Sequence, residues 1–305
     1  MKAIVFECPG EASEVLALRE VEPPRPGAGE VLVAVEARPV MPADLSFVRG
    51  TYRVRPRYPQ VAGLSGAGRV VVAGEGVALQ PGTRVAFRSP GAWAERVAVP
   101  VERTFVAPAD VALEDAAQFA LNPVTAWGLL DVAAVAAGDI IGLTAPTSSV
   151  SRLTRALAET RGIAAVEIGR DGGTPSAVDA IRARTGGAGL AALLDSVGGP
   201  LLGALFGVLR PGATIVAYGT MSNEPVPVHN GTLVYGNLTW KGFGIDRWLA
   251  GLTPGARAEM AAALWQAIRE RRLAMPVHGR VALADFADGL RAAAVGGGGG
   301  KVLLV

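Results

Sequence analysis

The 305-residue sequence predicts an α/β chain of two domains, an all-β module joined to a doubly wound parallel sheet. Three observations carry that expectation. The first 115 or so residues are short β-type runs broken by Gly and Pro. Beyond Pro108 the apolar spacing becomes helical and then alternates strand with helix. The final segment, from about residue 275, regains β character and is expected to rejoin the first domain. The expected division is therefore 1–115 with 275–305 for the β module, and 116–274 for the parallel sheet.

Taken in order, KAIVFE, EVLVAVEA, GRVVVAG, TRVAF and AERVAVP are each bounded by turn residues and read as strands. Pro23, Pro24 and Pro26 stiffen the link between the first of them. In ALEDAAQFALNPVTAWGLLDVAAV the apolar residues fall at helical spacing, and Asn122-Pro123 ends one helix and starts the next. The segments IIGLT, SSVSRLTRALAETRG, IAAVEIG, AVDAIRARTG, LAALLDSVGG and ATIVAYGT then alternate between strand and helix. Parallel strands joined by crossover helices give a doubly wound sheet. Helix returns from Pro254 to about Leu273, and the end reads as strand, helix, glycine turn and strand.

Composition narrows the partners. Half the residues are hydrophobic, and 29 basic against 27 acidic residues leave a formal charge of +2 with no run of either sign. A nucleic-acid surface needs clustered positive charge, so none is expected. Cys8 is the one cysteine, which excludes an internal disulfide and a cysteine-rich zinc site. The start, MKAIVFECPG, lacks the long apolar segment of a signal peptide. Apolar stretches are shorter than ~18 residues or interrupted by Gly and Pro, so no membrane span is expected. A cytoplasmic protein acting on a small molecule is the expectation.

Chemistry concentrates between Ile140 and Asp171, a strand, a turn of small residues, a helix and a second strand. That is the outline of a dinucleotide-binding unit. Backbone N–H groups at a helix start cradle phosphate, and glycines usually let the backbone come close. Here the turn is Ala145-Pro146-Thr147-Ser148-Ser149-Val150-Ser151. Its hydroxyls can cap the helix, but Ser151 stands where a glycine would permit tight packing. Arg170 follows the second strand ahead of Asp171; an arginine there suits the 2′-phosphate of NADP, where an acidic residue would suit NAD. NADPH is therefore the expected cofactor. Tyr218, Gly219 and Met221, with Asp195 and the Gly198-Gly199 pair, fall at carboxyl ends of predicted strands, the edge where doubly wound sheets bind ligands.

Several segments, in this order and spacing, resemble the medium-chain dehydrogenase/reductase superfamily. They are MPADLSFVRGTYRVRP, LNPVTAW, PTSSV, VAYGTMSNEPVPV, WKGFGIDRWL and the Gly-Lys-x-x-Leu ending. Within it the chain is most similar to the zinc-independent 2-enoyl thioester reductases, with quinone oxidoreductases close by. The resemblance implies a GroES-like β-barrel catalytic domain and a Rossmann domain, and relatives of this kind often dimerise through the latter, so a homodimer is expected. It implies hydride addition from NADPH to the β-carbon of a 2-enoyl thioester and protonation at the α-carbon. Tyr52 then orients the carbonyl or gives the proton, a role open to a neutral phenol. Asn122 and Thr125 correspond to positions near the nicotinamide, and Thr147, Ser148, Ser149 and Val150 to the phosphate turn. Phe243 and Trp248 would line an acyl pocket, and Lys301 would approach the cofactor.

Zinc ligation is not expected, because Gly63-Leu64-Ser65-Gly66 stands where zinc-dependent relatives have Gly-His-Glu. His229 and His278 both sit in loop-like Pro-Val-His contexts. Three departures from the family pattern stand out: Met41 for an asparagine, Ser151 for the turn's last glycine, and a shortened RVAFRSPGAWAERVAV segment. Two rival readings follow. One is a quinone or enone reductase on the same fold; the other is a scaffold that has lost its cofactor.

Overall fold

A computed structural model gives the architecture and describes residues 1–169, 173–295 and 299–305. Chain contacts divide it into two compact units, Met1–Asn122 with Ala261–Val305, and Pro123–Met260. In chain order the first unit contains β1 (Lys2–Phe6), α1 (Ala12–Val15), β2 (Ala17–Glu20), β3 (Glu30–Pro39), α2 (Pro42–Val48), β4 (Gln60–Val61), β5 (Ser65–Ala73), β6 (Arg84–Arg88), β7 (Arg96–Pro100), β8 (Thr104–Val106) and α3 (Leu113–Phe119). Next come α4 (Asn122–Ala133), β9 (Ile140–Thr144), α5 (Ser149–Thr160), β10 (Ala164–Ile168), α6 (Gly173–Thr185), β11 (Leu190–Asp195), α7 (Gly199–Leu205), β12 (Leu209–Ala217), α8 (Asn230–Gly236), β13 (Thr239–Gly242) and α9 (Ile245–Ala250). Helix α10 (Pro254–Arg269) leads back to β14 (Val277–Val281), α11 (Phe286–Val295) and β15 (Lys301–Leu304) in the first unit.

The first unit is built on β3, which pairs antiparallel with β5 and β7 and, at its end, with β15. The larger sheet runs β14-β15-β3-β5-β6-β8, and a smaller one runs β2-β1-β4. Alternation sends Val31, Val33 and Val35 into a core with Phe6, Phe47, Phe87 and Trp93. Gly63 is required there: its φ is +81°, and a Cβ would lie 2.1 Å from the Trp93 ring. The returning strand β15 is fastened by Arg38, which is 2 % exposed. Its guanidinium donates to the carbonyls of Leu304 (3.2 Å), Val35 (2.8 Å) and Ala94 (3.0 Å). Burial lowers the Arg38 pKa to about 10, so it remains charged at neutral pH.

Units divided after Asn122 and Met260 differ from the expected divisions after residues 115 and 274, and aromatic packing supplies the reason. Phe119 of α3 stacks on Trp265 of α10 with ring centroids 3.5 Å apart, and Gln118 Nε2 donates to the Met275 carbonyl at 3.0 Å. Helix α3 itself packs on β3, β5 and β6, and these contacts bring the end of α10 into the first unit with it.

The second unit is a five-stranded parallel sheet in the order β10-β9-β11-β12-β13. Every residue of β11, LAALLD, is buried, as expected for a parallel strand covered on both faces. Helix α5 turns Leu153, Leu157 and Ala158 inward. From β9 the chain crosses to β10 on one side, whereas β11 flanks β9 on the other. The order therefore reverses at β9/β11, which makes the carboxyl ends of those strands the topological switch point where such sheets take ligands. Among the described residues no helix is long and apolar enough to cross a membrane.

Candidate functional site

The phosphate turn lies at that switch point. Strand β9 ends at Thr144, Ala145 adopts a left-handed φ of +50°, and Ser148 is the N-cap of α5. The Ser148 Oγ accepts from the Ser151 N–H at 3.1 Å, a standard cap that satisfies one orphan donor. Among the described residues the N–H groups of Ser149 and Val150 have no acceptor outside the helix. With the helix dipole behind them they suit an anion. Thr147 is exposed at the tip of the turn, its hydroxyl open to solvent.

Ser151 does not fill this cradle. Its side chain points inward and is 1 % exposed, and its hydroxyl donates to the Thr144 carbonyl at 2.8 Å. The same oxygen lies 3.0 Å from Ser148 Oγ and 3.1 Å from the Tyr218 hydroxyl. A hydrogen bond from helix to strand thus takes the place of the close contact a glycine would permit.

Two further loops converge on the turn. Asp195, fully buried at the end of β11, accepts from Thr144 Oγ1 (2.8 Å), the Val197 N–H (3.2 Å) and the Gly198 N–H (2.8 Å). Thr144 Oγ1 in turn accepts from the Ser196 N–H at 2.9 Å. Backbone bonds from Tyr218 to Asp195, Met221 to Ser196 and Ser222 to Val197 zip the loop after β12 to the loop after β11. Gly219 is required by this approach, since a Cβ would meet the Ser196 carbonyl oxygen at 2.5 Å. The Ser196 hydroxyl, buried beside this contact, makes no hydrogen bond of good geometry. Met221 is 65 % exposed. The second unit therefore brings together Thr147, Ser148, Ser149, Val150, Tyr218, Gly219 and Met221 along one sheet edge.

Asn122 and Thr125, in the first turn of α4, are buried at 6 % and 8 % exposure, yet neither side chain hydrogen-bonds another described residue. Neither residue is among those with a fully buried, unpartnered polar atom, so their amide and hydroxyl are open to a ligand without demanding one. Phe243 and Trp248 lie against α4, where a Cβ on Gly128 would approach both rings within 2.9 Å; Trp248 Nε1 donates to Asp131 at 2.8 Å. Both rings are half-buried, and the exposed parts are what an acyl pocket would use. Arg170, the residue on which cofactor choice was read, lies outside the described residues.

The first unit places Tyr52 after α2, half-buried on the core, with the Arg53 guanidinium 5.4 Å from its ring centre. Its hydroxyl has no hydrogen-bond partner among the described residues, as a phenol waiting for a substrate oxygen would. Residues 51–57 alternate between exposed and half-buried. Tyr52, Val54 and Pro56 face inward, and Arg53, Arg55 and Arg57 share the solvent face. Nearby Asp44, wholly buried, accepts from the Met41 N–H and the Leu64 N–H, each at 2.8 Å. One carboxylate thereby joins the Met41 loop to the Gly63–Ser65 turn. Burial pushes its pKa up to about 7, opposed by those two bonds and by the charge of Lys301. Lys301 belongs to this cluster, at the start of β15. Sequence reasoning missed the role of Asp44; its spacing three residues after Met41, at a Pro-initiated helix, was the available signal. His229 caps α8 by accepting from the Gly231 N–H. Among the described residues no three His, Cys, Asp or Glu side chains gather as a metal-binding group.

Comparison with known proteins agrees with this architecture. Residues 27–109 match the family model described as alcohol dehydrogenase GroES-like domain, and residues 163–304 that described as zinc-binding dehydrogenase. The mitochondrial enoyl-[acyl-carrier-protein] reductase of Xenopus tropicalis is 30 % identical over 319 residues, covering 95 % of this chain and 91 % of the relative. That of Bos taurus is 28 % identical over 320 residues, covering 96 % and 85 %. A mycobacterial protein solved in complex with NADPH superposes over all of both chains with a TM-score of 0.88 at 27 % identity. A mycobacterial quinone oxidoreductase structure gives 0.87 at 27 % identity, over 100 % of this chain and 99 % of that one. Given a GroES-like β unit, a parallel sheet with a capped phosphate turn, and near-full-length relatives, the chain belongs to the medium-chain dehydrogenase/reductase superfamily.

Proposed function

We propose that the protein is a zinc-independent, NADPH-dependent reductase of an activated carbon–carbon double bond, with a 2-enoyl thioester as substrate. The convergence of three carboxyl-end loops on the open N–H groups of Ser149 and Val150 carries this reading. The residues fit the cofactor. The turn offers backbone donors and the Thr147 hydroxyl to a pyrophosphate, while Asn122 and Thr125 carry polar groups that no described residue engages. The mycobacterial relative at 27 % identity was solved with NADPH, and Arg170 suits a 2′-phosphate.

NADPH, when bound, supplies a hydride to the β-carbon of the double bond. Tyr52 donates its phenolic hydrogen bond to the thioester carbonyl oxygen, stabilising the negative charge that develops there. After the hydride has added, the same hydroxyl passes its proton to the α-carbon, and the phenolate left behind takes a proton back from solvent. Asp44 holds the Met41 and Leu64 backbones to one another within the same unit. Asn122 and Thr125 hold the nicotinamide end, Lys301 completes the cluster around Asp44, and the open faces of Phe243 and Trp248 receive the acyl chain.

A thioester is favoured over a quinone by the solvent face of residues 51–57. Arg55 and Arg57 there have no carboxylate partner among the described residues; Arg55 bonds only the Gly50 carbonyl, at 2.7 Å. Acyl thioesters travel on phosphate-bearing carriers, which positive charge attracts, whereas a quinone has no such charge. The curated relatives, named as enoyl reductases, point the same way. The second reading, a quinone reductase, is favoured by the mycobacterial quinone oxidoreductase structure. Comparing NADPH oxidation with crotonyl-coenzyme A against a simple quinone separates the two; turnover of the quinone alone would select the second. A cytoplasmic homodimer assembled through the dinucleotide unit completes the proposal. Among the described residues β13 is an end strand of the sheet, and such an edge is open to pairing with a second copy.

A further inference from the structure

We propose that Ser151 is a positioning residue: its hydroxyl holds the Tyr218 phenol against the start of α5, and thereby sets the Tyr218–Ser222 loop in the shape that receives NADPH. This rests on the NADPH reading above. A serine hydroxyl has one proton and two lone pairs, and all three are used here. The proton goes to the Thr144 carbonyl at 2.8 Å, so the contacts with Ser148 Oγ at 3.0 Å and the Tyr218 hydroxyl at 3.1 Å are accepted. Tyr218 is therefore the donor to Ser151. Burial raises the Tyr218 pKa above its ordinary value, which keeps the phenol protonated for that task.

The geometry makes this bond the second of two anchors. On one side the loop is fixed by backbone, with Tyr218, Met221 and Ser222 N–H groups donating to the Asp195, Ser196 and Val197 carbonyls. On the other side the phenol reaches the phosphate turn at Ser151, with the Ser148 and Ser196 hydroxyls also beside it. Ser151, at 1 % exposure, touches no ligand and acts through Tyr218. A glycine at 151 would leave the turn open but take away the phenol's 3.1 Å partner, leaving it the Ser148 and Ser196 hydroxyls alone. It would also leave the Thr144 carbonyl without its side-chain donor.

The test is a double-mutant cycle on NADPH affinity, read by cofactor fluorescence, using Ser151→Ala, Tyr218→Phe and the double variant. One lost hydrogen bond of this kind corresponds to a Kd raised about tenfold. Each single variant should show that rise, and the double variant should be no weaker than either. An unchanged Kd for Ser151→Ala, or losses that multiply in the double variant, would overturn the proposal. A second readout needs no cofactor. In the free protein, hydrogen exchange at the Met221 and Ser222 amides should quicken at least tenfold in both single variants, while the β11 amides keep their protection. Equal protection of the loop in wild type and variants also overturns it. If the wild type binds no NADPH, the cofactor reading fails by itself, and loop exchange still decides whether Ser151 anchors Tyr218.

Discussion

Asp44→Asn should remove a specific part of the protein's pH dependence. Asp44 is fully buried, and burial lifts its pKa from 3.8 to about 7 in spite of two backbone donors and Lys301. The native state therefore prefers the neutral acid, whereas the unfolded chain ionises near 3.8. The stability linked to this group is fully present below pH ~4 and is lost as pH rises through about 7. A shift of roughly three units at 1.36 kcal/mol each gives a total of about 4 kcal/mol. Of that, roughly 2–3 kcal/mol is lost between pH 5 and 8.5. The asparagine cannot ionise, but its amide nitrogen must face either the Met41 or the Leu64 N–H, which costs about 1–3 kcal/mol at every pH. Urea denaturation of both proteins at pH 5, 7 and 8.5 measures the difference. The variant should be less stable at pH 5 and approach the wild type, or pass it, at pH 8.5. A stability gap that is constant across this range, or one that widens as pH rises, would refute the assignment of a raised pKa to Asp44.

Tyr52→Phe should lower turnover of an enoyl thioester by ~10²-fold, the usual scale of one acid–base contribution, with NADPH affinity unchanged; an unchanged rate would reduce Tyr52 to packing on the core. Arg55→Glu with Arg57→Glu should raise KM for a coenzyme A thioester severalfold at low ionic strength and leave a quinone's KM unaffected. A matching rise for both substrates would show that these arginines do not recognise a charged carrier. Arg170→Ala should weaken NADPH far more than NADH, as binding titrations of each would reveal; equal losses would mean that Arg170 does not read the 2′-phosphate.

Much of the dinucleotide unit was legible because its signals are local. The apolar runs of β9 and β11, the Ser148 cap and the residues after β12 each occupy a few consecutive positions, and the parallel sheet follows from their alternation. The returning strand β15 was legible for the same reason. What stayed hidden depends on residues far apart in the chain. Nothing near Arg38 in sequence announces a guanidinium shared among Val35, Ala94 and Leu304. The stack of Phe119 on Trp265, which brings the end of α10 into the first unit, joins two separate helices. Ser151 looked like an obstruction because sequence cannot show that its side chain turns toward Thr144 rather than toward the open turn. The Tyr218 bond that uses its second lone pair spans 67 positions.

The central claim is that the phosphate turn binds NADPH despite carrying serines for glycines. Titrating the wild-type protein into NADPH and following the cofactor's fluorescence tests it most directly. Saturable binding is expected, with a Kd between ~1 μM and ~1 mM, the span of typical enzyme KM values, and weaker binding of NADH. No change in fluorescence up to near-millimolar NADPH would contradict it and leave a fold that has lost its cofactor.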